Sequence, residues 1–287
     1  MTSRYSGGRL WTMWDPQQYL RHAGPRLRPL HDLLAHVPEA LPPGRDGPPR
    51  IADLGCGPGG PTTHLADRWP TAHLTGYDSD PAMLDAARAH ARDGAPDTAG
   101  RLDFAHADLA DWRPGRNERF GLLFSNAALQ WVPGHQHAFP DWIADLPSGG
   151  VLAFQVPGNF TAPSHTLLAA LRNSPRWRDR LGAPSRADDV LDPAGYAAVL
   201  TPLGCTVDTW ETTYLHRLTG PDPVLEWTKG TALRPVLTLL ADDPQSRTAF
   251  LAEYATALRA AYPPTTEGTD TVTYFPFRRV FVIAVKH

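Results

Sequence analysis

The stretch Ile51-Ala-Asp-Leu-Gly-Cys-Gly-Pro-Gly-Gly60 decides the fold of this chain. Its first four residues form a short apolar run that is typical of a buried strand, and a helix is expected over residues 62–69. The glycines between them permit a positive φ and let a ligand approach the backbone closely. A strand, a glycine-rich turn and a helix in this order predict a nucleotide-type site at the carboxyl end of the strand.

The spacing Gly55-x-Gly57-x-x-Gly60 leaves two ligand classes open, because it formally matches the fingerprint of dinucleotide-binding enzymes such as NAD-dependent reductases. Asp53, however, precedes the glycines, and a pyrophosphate favours an electropositive helix N-terminus without a carboxylate beside it. The sulfonium and amino groups of S-adenosylmethionine are cationic and tolerate that carboxylate. Asp53 therefore favours S-adenosylmethionine, with Gly55, Gly57 and Gly59 as its binding loop.

Two more acids follow the next two predicted strands. Asp78 lies about 20 residues beyond the glycines, where a carboxylate accepts both hydrogens of a ribose diol, and Ser79 follows it. Asp108 and Leu109 follow the third strand, at the position expected for the adenine; capping a helix is the alternative role for Asp108. Acids at the carboxyl ends of three consecutive strands favour the methyl donor.

Short apolar runs alternate with helical patterns along the chain, which predicts an α/β fold with a doubly wound, mostly parallel sheet. Strands are expected at residues 51–54, 73–77, 102–105, 120–125, 151–156, 206–215 and 277–285, and so the sheet is seven-stranded. Further helices are expected at 81–92, 136–144, 190–202 and 223–262, the last with breaks at Pro235 and Pro244, and within 14–37 as two short helices split by Pro25 and Pro29.

The domain organisation expected from these patterns is simple. Residues 1–12 are polar and are expected to be a flexible tail. Residues 13–287 are expected to form one domain, in which 14–36 and 221–264 are cap elements over the sheet edge.

Composition excludes several classes of function. The chain has 287 residues, a net charge of −3 and a mean hydropathy of −0.33, which is ordinary for a globular protein and argues against nucleic-acid binding through bulk charge. The start of the chain lacks the apolar core of a signal peptide, and no apolar run is long enough to span a membrane. The two cysteines, Cys56 and Cys205, predict reduced thiols and a cytoplasmic location.

Catalytic and metal motifs are not evident. The close pair His135-x-His137 has no cysteine or carboxylate at ligand spacing, so no metal site is expected. No Ser-His-Asp or Cys-His arrangement is present, and no catalytic nucleophile or general base is expected.

The run Ser125-Asn-Ala-Ala-Leu-Gln-Trp131, together with the glycine motif, resembles the class I S-adenosylmethionine-dependent methyltransferases. Later segments are more specific and resemble the trans-aconitate 2-methyltransferase family. The matching segments are Trp14-Asp-Pro, Arg26-Leu-Arg-Pro29, Asp53-Leu-Gly-Cys-Gly-Pro-Gly59, Asn126-Ala-Ala-Leu-Gln-Trp131, Gln155-Val-Pro-Gly-Asn159, Trp210-Glu-Thr-Thr-Tyr214, Leu233-Arg-Pro235 and Phe277-Arg-Arg279.

This resemblance implies methyl-ester formation on one carboxylate of trans-aconitate, with S-adenosylmethionine as donor and an antiparallel last strand. A tricarboxylate needs cations and hydrogen-bond donors, and the candidates lie in the segments expected over the sheet edge. The substrate residues expected are Tyr19, Arg26, Trp131, His165, Tyr214, His216, Arg234 and Arg279. Asn126 and Arg28 are expected at the donor, where Arg28 would hold its carboxylate.

Several alternatives remain open from the sequence. Most of the 27 basic residues are arginines, and each candidate arginine has solvated surface charge as its alternative role; for Trp131 the alternative is core packing. A natural-product or lipid methyltransferase on the same fold would have an apolar cap interior, and a regulator that only binds S-adenosylmethionine would show no turnover. A monomer or weak homo-oligomer is expected.

Overall fold

A computed structural model describes residues 23–45, 47–94, 101–115, 118–182 and 190–287. Within these ranges the strands are β1 Arg50–Leu54, β2 His73–Asp78, β3 Leu102–His106, β4 Leu122–Asn126, β5 Val151–Pro157, β6 Cys205–Thr219, β7 Thr265–Glu267 and β8 Asp270–Lys286. The α-helices are α1 Ala23–His36, α2 Gly60–Arg68, α3 Pro81–Gly94, α4 Phe139–Asp145, α5 Pro163–Arg172, α6 Arg178–Leu181, α7 Pro193–Leu200, α8 Pro223–Lys229, α9 Arg234–Leu239 and α10 Pro244–Ala261. The predicted tail 1–12 and Tyr19 lie outside the described residues.

The strands form one mixed sheet in the order β3-β2-β1-β4-β5-β8-β6. β1 to β5 pair in parallel, and β8 runs antiparallel to both β5 and β6. The predicted fold class, a doubly wound and mostly parallel sheet with an antiparallel last strand, is confirmed. A short strand that the sequence did not predict, β7, pairs with β8 outside this order.

Turns and helix starts follow the carboxyl ends of β1 and β2, at the edge of the sheet where the ligand site is expected. Gly59 has a φ of 85° and precedes α2, whose first turn carries Pro61. Helix α3 begins with Pro81, and the Asp80 carboxylate accepts a hydrogen bond from the Ala82 backbone N–H at 2.9 Å, so Asp80 is the residue that caps it.

Helix α1 differs from the prediction of two short helices, because it continues through Pro29. A proline inside a helix removes one backbone hydrogen bond and favours a kink. Burial of Leu30, Leu33 and Leu34 against the sheet offsets that cost. Helices α5 and α6 are also absent from the sequence prediction.

The described residues form three hydrophobic cores. One face of the sheet packs against α4 and α7, and the other packs against α1 and α2. The third core joins α5 and α8–α10 to Leu218 of β6 and to Phe275 and Phe277 of β8. This third core exists because β6 and β8 remain paired as far as Thr219 and Val272, well beyond the residues of β8 that pair with β5. Among the described helices, none has the length and apolar character needed to cross a bilayer.

Candidate active site

The glycine turn after β1 leaves room for a ligand at one point and packs closely at another. Gly55, Gly57 and Gly59 all have a positive φ, of 80°, 55° and 85°. A Cβ on Gly55 would lie 2.2 Å from the Cβ of Ala128, whereas a Cβ on Gly57 would meet no protein atom within 4 Å. Gly55 is therefore needed for packing, and Gly57 faces open space that a ligand can enter.

Asp53 is the second-to-last residue of β1 and is almost fully enclosed, at 1% exposure. Its Oδ2 accepts a hydrogen bond from Thr62 Oγ1 at 2.7 Å, and its buried Oδ1 has no hydrogen-bond partner among the described residues. Burial, with a smaller contribution from Asp78, raises the pKa of Asp53 to about 7. A cationic group beside Oδ1 would satisfy this oxygen and favour the ionised form.

Asp78, at the end of β2, is held by two backbone donors. Its Oδ2 accepts from Gly57 N and its Oδ1 accepts from Asp80 N, both at 2.9 Å. Burial raises its pKa, and these backbone hydrogen bonds oppose that rise. Each carboxylate oxygen keeps a further lone pair, so the group can still accept from a diol, and Ser79 lies half-buried beside it.

Asp108 and Leu109 follow β3 at the same edge of the sheet. Asp108 Oδ1 accepts a hydrogen bond from Ala110 N at 3.0 Å, which is the local turn contact expected of an aspartate in this position. Leu109 is buried and packs in the core that contains α4. Contact with an adenine stays a prediction for both residues.

The chain turns sharply at the end of β4. Ala127 has a φ of 58°, which an alanine rarely adopts, and its N–H donates to the Gln155 carbonyl oxygen at 3.0 Å. Strained backbone of this kind is often stored at functional sites. Trp131 follows in a short 3₁₀ helix, Leu129–Trp131, and is half-buried.

A chain of polar side chains crosses β4, β5 and β8 at this edge. Gln155 Nε2 donates to Asn126 Oδ1 at 2.7 Å, and Arg279 Nη1 donates to Gln155 Oε1 at 3.0 Å. Gln155 and Arg279 are buried, at 1% and 6% exposure, and Asn126 is half-buried. In the same strands Phe124, Ala153 and Phe281, each two residues away, pack in the core that contains α1 and α2. The polar chain therefore lies on that face of the sheet.

The two consecutive arginines of β8 point in opposite directions, as strand geometry requires. Arg279 stacks its guanidinium on Phe277 at 4.8 Å from the ring centroid. Arg278 instead donates from Nε to the Gly158 carbonyl oxygen at 2.6 Å and pairs with Glu211 at 3.1 Å. Only Arg279 of this pair is buried at the polar chain.

Tyr214 and His216 share one face of β6, as predicted, with ring centroids 6.5 Å apart. Tyr214 is buried, and its hydroxyl donates to Asp32 Oδ2 at 2.5 Å. Burial and the Asp32 carboxylate raise the pKa of Tyr214, so the hydroxyl stays protonated. Arg28 of α1 lies over the Tyr214 ring, 5.3 Å from its centroid, which places it beside a residue expected at the substrate.

His165 and Arg234 lie in the helices of the third core region, on α5 and at the first residue of α9. Burial lowers the pKa of His165 to about 4, so this imidazole is neutral at physiological pH and offers hydrogen bonds rather than charge. Its Nδ1 lies 3.1 Å from Ser164 Oγ. The side chain of Arg26 lies outside the described residues.

Gln155 and Thr62 are polar residues of this site that the sequence interpretation missed, as is Asp32, the partner of Tyr214. Gln155 interrupts the apolar run Val151-Leu-Ala-Phe-Gln-Val156, and an amide in an otherwise buried strand is the signal that marks it. Thr62 carries no such signal, because threonine is ordinary in a first helical turn. No three His, Cys, Asp or Glu residues of the described ranges are grouped to hold a metal ion.

Known proteins resemble this chain along its length. The family model described as "Methyltransferase domain" matches residues 51–150. Proteins named trans-aconitate 2-methyltransferase are 58% identical in Streptomyces coelicolor, over 95% of this chain and 86% of the relative, and 47% identical in Rhodococcus jostii, over 95% and 99%. The solved structure of phosphoethanolamine N-methyltransferase 2 of Haemonchus contortus, in complex with S-adenosyl-L-methionine, matches the fold with a TM-score of 0.51 at 16% identity, over 90% of this chain and 52% of that one. The chain therefore belongs to the trans-aconitate 2-methyltransferase family of methyltransferases.

Proposed function

We propose that this enzyme transfers the methyl group of S-adenosyl-L-methionine to one carboxylate of trans-aconitate or a closely related tricarboxylate. The products are a monomethyl ester and S-adenosylhomocysteine. Identity of 58% over 95% of the chain to a protein named for this reaction supports the substrate class. Within the structure, the proposal rests on Arg279, a buried cation that is linked through Gln155 to Asn126 at the carboxyl end of β4.

The residues of the glycine edge fit the methyl donor. Asp53 has a buried carboxylate oxygen, Oδ1, without a hydrogen-bond partner among the described residues, and a cationic amino or sulfonium group would satisfy it. Gly57 leaves open space, and Asp78 is held in place to accept from a ribose diol. We assign Gly55, Gly59, Ser79, Asp108, Leu109 and Asn126 to the same donor site as supporting residues.

The polar chain fits the acid. A tricarboxylate that is esterified on one arm leaves two arms to be held, and arginine binds a carboxylate through two parallel hydrogen bonds. Arg279 is the proposed primary contact, and Tyr214, His216 and Trp131 are proposed as further contacts. The proposed set is completed by Arg234, His165, Arg26, Tyr19 and Arg28. Arg28 lies next to Tyr214, and we propose that it contacts a carboxylate of either the donor or the acid.

The chemistry requires positioning more than proton transfer. When bound, the donor supplies an electrophilic methyl group on a cationic sulfur. A carboxylate is already an anion at neutral pH, so its oxygen bonds to the methyl carbon as the carbon–sulfur bond breaks, and no proton moves. Arg279 and its neighbours would hold the acid in line and exclude water, which is where the rate enhancement arises.

The organisation of the whole chain forms part of the proposal. Residues 221–264, and 14–36 at the other end, would cap the site within one domain that spans 13–287. We place the enzyme in the cytoplasm as a monomer or weak homo-oligomer that acts on a small molecule and binds no nucleic acid. Neither the names of the relatives nor the buried Arg279 favours a natural-product methyltransferase.

A methyl-transfer assay across a panel of acids tests the proposed function. Labelled S-adenosylmethionine is incubated with the purified chain and trans-aconitate, cis-aconitate, citrate, fumarate or a monocarboxylate of similar length. Ester formation should be fastest with trans-aconitate and should fall as carboxylates are removed. Equal rates with the monocarboxylate, or no transfer to any of these acids, would contradict the proposal.

A further inference from the structure

The hydrogen bonds of the polar chain have a defined direction, because one end is arginine. A guanidinium group only donates, so the Gln155 atom that faces Arg279 Nη1, at 3.0 Å, must be the carbonyl oxygen Oε1. The Gln155 amide nitrogen Nε2 then faces Asn126. Since Nε2 only donates, the Asn126 atom that it contacts at 2.7 Å must be Oδ1.

The same logic fixes the other side of the Asn126 amide. With Oδ1 committed to Gln155, Nδ2 and its two hydrogens face away from the polar chain. Asn126 is half-buried at the carboxyl end of β4, and the structure gives Nδ2 no hydrogen bond within the described residues. The turn after Asn126 is also tied to Gln155, because the Ala127 N–H donates to the Gln155 carbonyl oxygen at 3.0 Å.

We infer that Asn126 presents its Nδ2 hydrogens to a carboxylate of the bound acid, and that Gln155 is the positioning residue that sets this orientation. Arg279 and Asn126 thus offer donors to the acid from the two ends of one hydrogen-bonded chain, and Gln155 couples them. This inference rests on the proposed function and adds to the donor-site role of Asn126 a contact with the acid. It also explains why a polar side chain is retained in a strand that is otherwise apolar.

Two substitutions at Gln155 separate the orientation of the Asn126 amide from the packing of the side chain at position 155. Gln155→Glu keeps the shape and still accepts from Arg279, but it has no hydrogens to give to Asn126. The Asn126 amide would then turn, donate to the new carboxylate and present Oδ1 to the acid. Gln155→Met removes both hydrogen bonds and leaves the Asn126 amide free to adopt either orientation.

The experiment measures kcat and KM for trans-aconitate and the dissociation constant of the methyl donor. Both variants should raise KM for the acid by much more than they change the dissociation constant of the donor, because Asn126 is only a supporting residue of the donor site; retained donor binding also reports an intact fold. Gln155→Glu should lose about tenfold more kcat/KM than Gln155→Met, the scale of replacing one good hydrogen bond by a repulsive contact. Gln245→Glu adds the same charge on the exposed surface of α10 and should not change any of these values.

Repeating both substitutions in an Asn126→Ala variant separates the effect of the Asn126 amide orientation from the effect of the charge that Gln155→Glu adds. In the Asn126→Ala background there is no amide at position 126 to turn. The difference in kcat/KM between Gln155→Glu and Gln155→Met should therefore shrink to about threefold or less. An undiminished difference there, or wild-type kcat/KM in both single variants, would overturn the inference. If the wild-type enzyme itself does not methylate the acid, the proposed function fails instead, so the two failures are distinguishable.

Discussion

The Asp53 carboxyl group is enclosed by β1 and α2, and a hydroxyl group is its one hydrogen-bond donor among the described residues. In donor-free protein the buried group binds a proton up to about pH 7, whereas in the unfolded chain it loses that proton near pH 4. The folded state therefore binds more protons between these values, and its stability falls as the pH rises through this window.

Asp53→Asn should remove this slope. The free energy of unfolding of the variant, relative to the wild type, should rise by about 1.4 kcal/mol per pH unit between about pH 4 and 7 and then become constant. Urea titrations of both donor-free proteins across this range measure the difference. If the free energies of unfolding of the two proteins change with pH in parallel, the pKa of Asp53 is not raised by burial and this prediction is wrong.

Asp78 should hold the ribose of the methyl donor. Asp78→Ala removes an acceptor of charge-assisted hydrogen bonds, and donor affinity should fall by roughly 1.5–3 kcal/mol. Calorimetric titration with S-adenosylhomocysteine measures this loss. Asp103→Ala, an exposed aspartate on the neighbouring strand β3, is the matched control and should bind as the wild type does. Equal affinity in all three proteins would remove Asp78 from the donor site.

For single residues, the sequence predicts the residue types of the site and their positions at strand ends better than it predicts the contacts between their side chains. Asp53 and Asp78 lie where the motif and its spacing put them. Arg279 was predicted together with three other arginines, Arg26, Arg28 and Arg234, and only the alternation of side chains along β8 separates it from Arg278. Gln155 was missed because its partners are distant in the sequence: Asn126 is 29 residues away and Arg279 is 124 residues away.

Helix α1 shows how tertiary contacts override a local rule. Pro29 predicts a break, yet the helix continues because its apolar residues pack on the sheet. At the same helix, Asp32 accepts from the Tyr214 hydroxyl and Arg28 covers the Tyr214 ring. The helix is therefore fixed to β6 by polar contacts as well as by its apolar face.

Tyr214→Phe should weaken this attachment. The loss of one hydrogen bond should lower the free energy of unfolding by about 1 kcal/mol, because Asp32 is only half-buried and can be solvated instead. Chemical denaturation measures the change. Tyr274→Phe is the matched control: it removes an exposed hydroxyl of β8 that donates to Glu267, and because this contact is solvated its loss should stay within about 0.5 kcal/mol of the wild type. Equal losses in the two variants would contradict a specific role for the contact with Asp32.

Across the whole molecule, β8 joins all three cores. Phe275 and Phe277 pack with the helices of the third core, and Val280 and Phe281 pack on opposite faces of the sheet. Arg279 lies between the third core and the rest of the sheet, because its guanidinium stacks on Phe277 and donates a hydrogen bond to Gln155 of β5. The sequence predicted the order of elements, but not the third core, because the predicted strands 206–215 and 277–285 end short of the β6–β8 pairing on which this core rests, and because α5 was not predicted.

Arg279 is the proposed cation that binds a non-reacting carboxylate of the acid, and its substitution by lysine tests this role. Arg279→Lys keeps the charge and loses the paired hydrogen bonds. Its kcat/KM for trans-aconitate should fall about 10- to 100-fold, with donor affinity unchanged. Arg278→Lys, the neighbour on the opposite face, should stay within about threefold of the wild type. Wild-type kcat/KM in Arg279→Lys, or equal losses in both variants, would contradict the assignment of the tricarboxylate site.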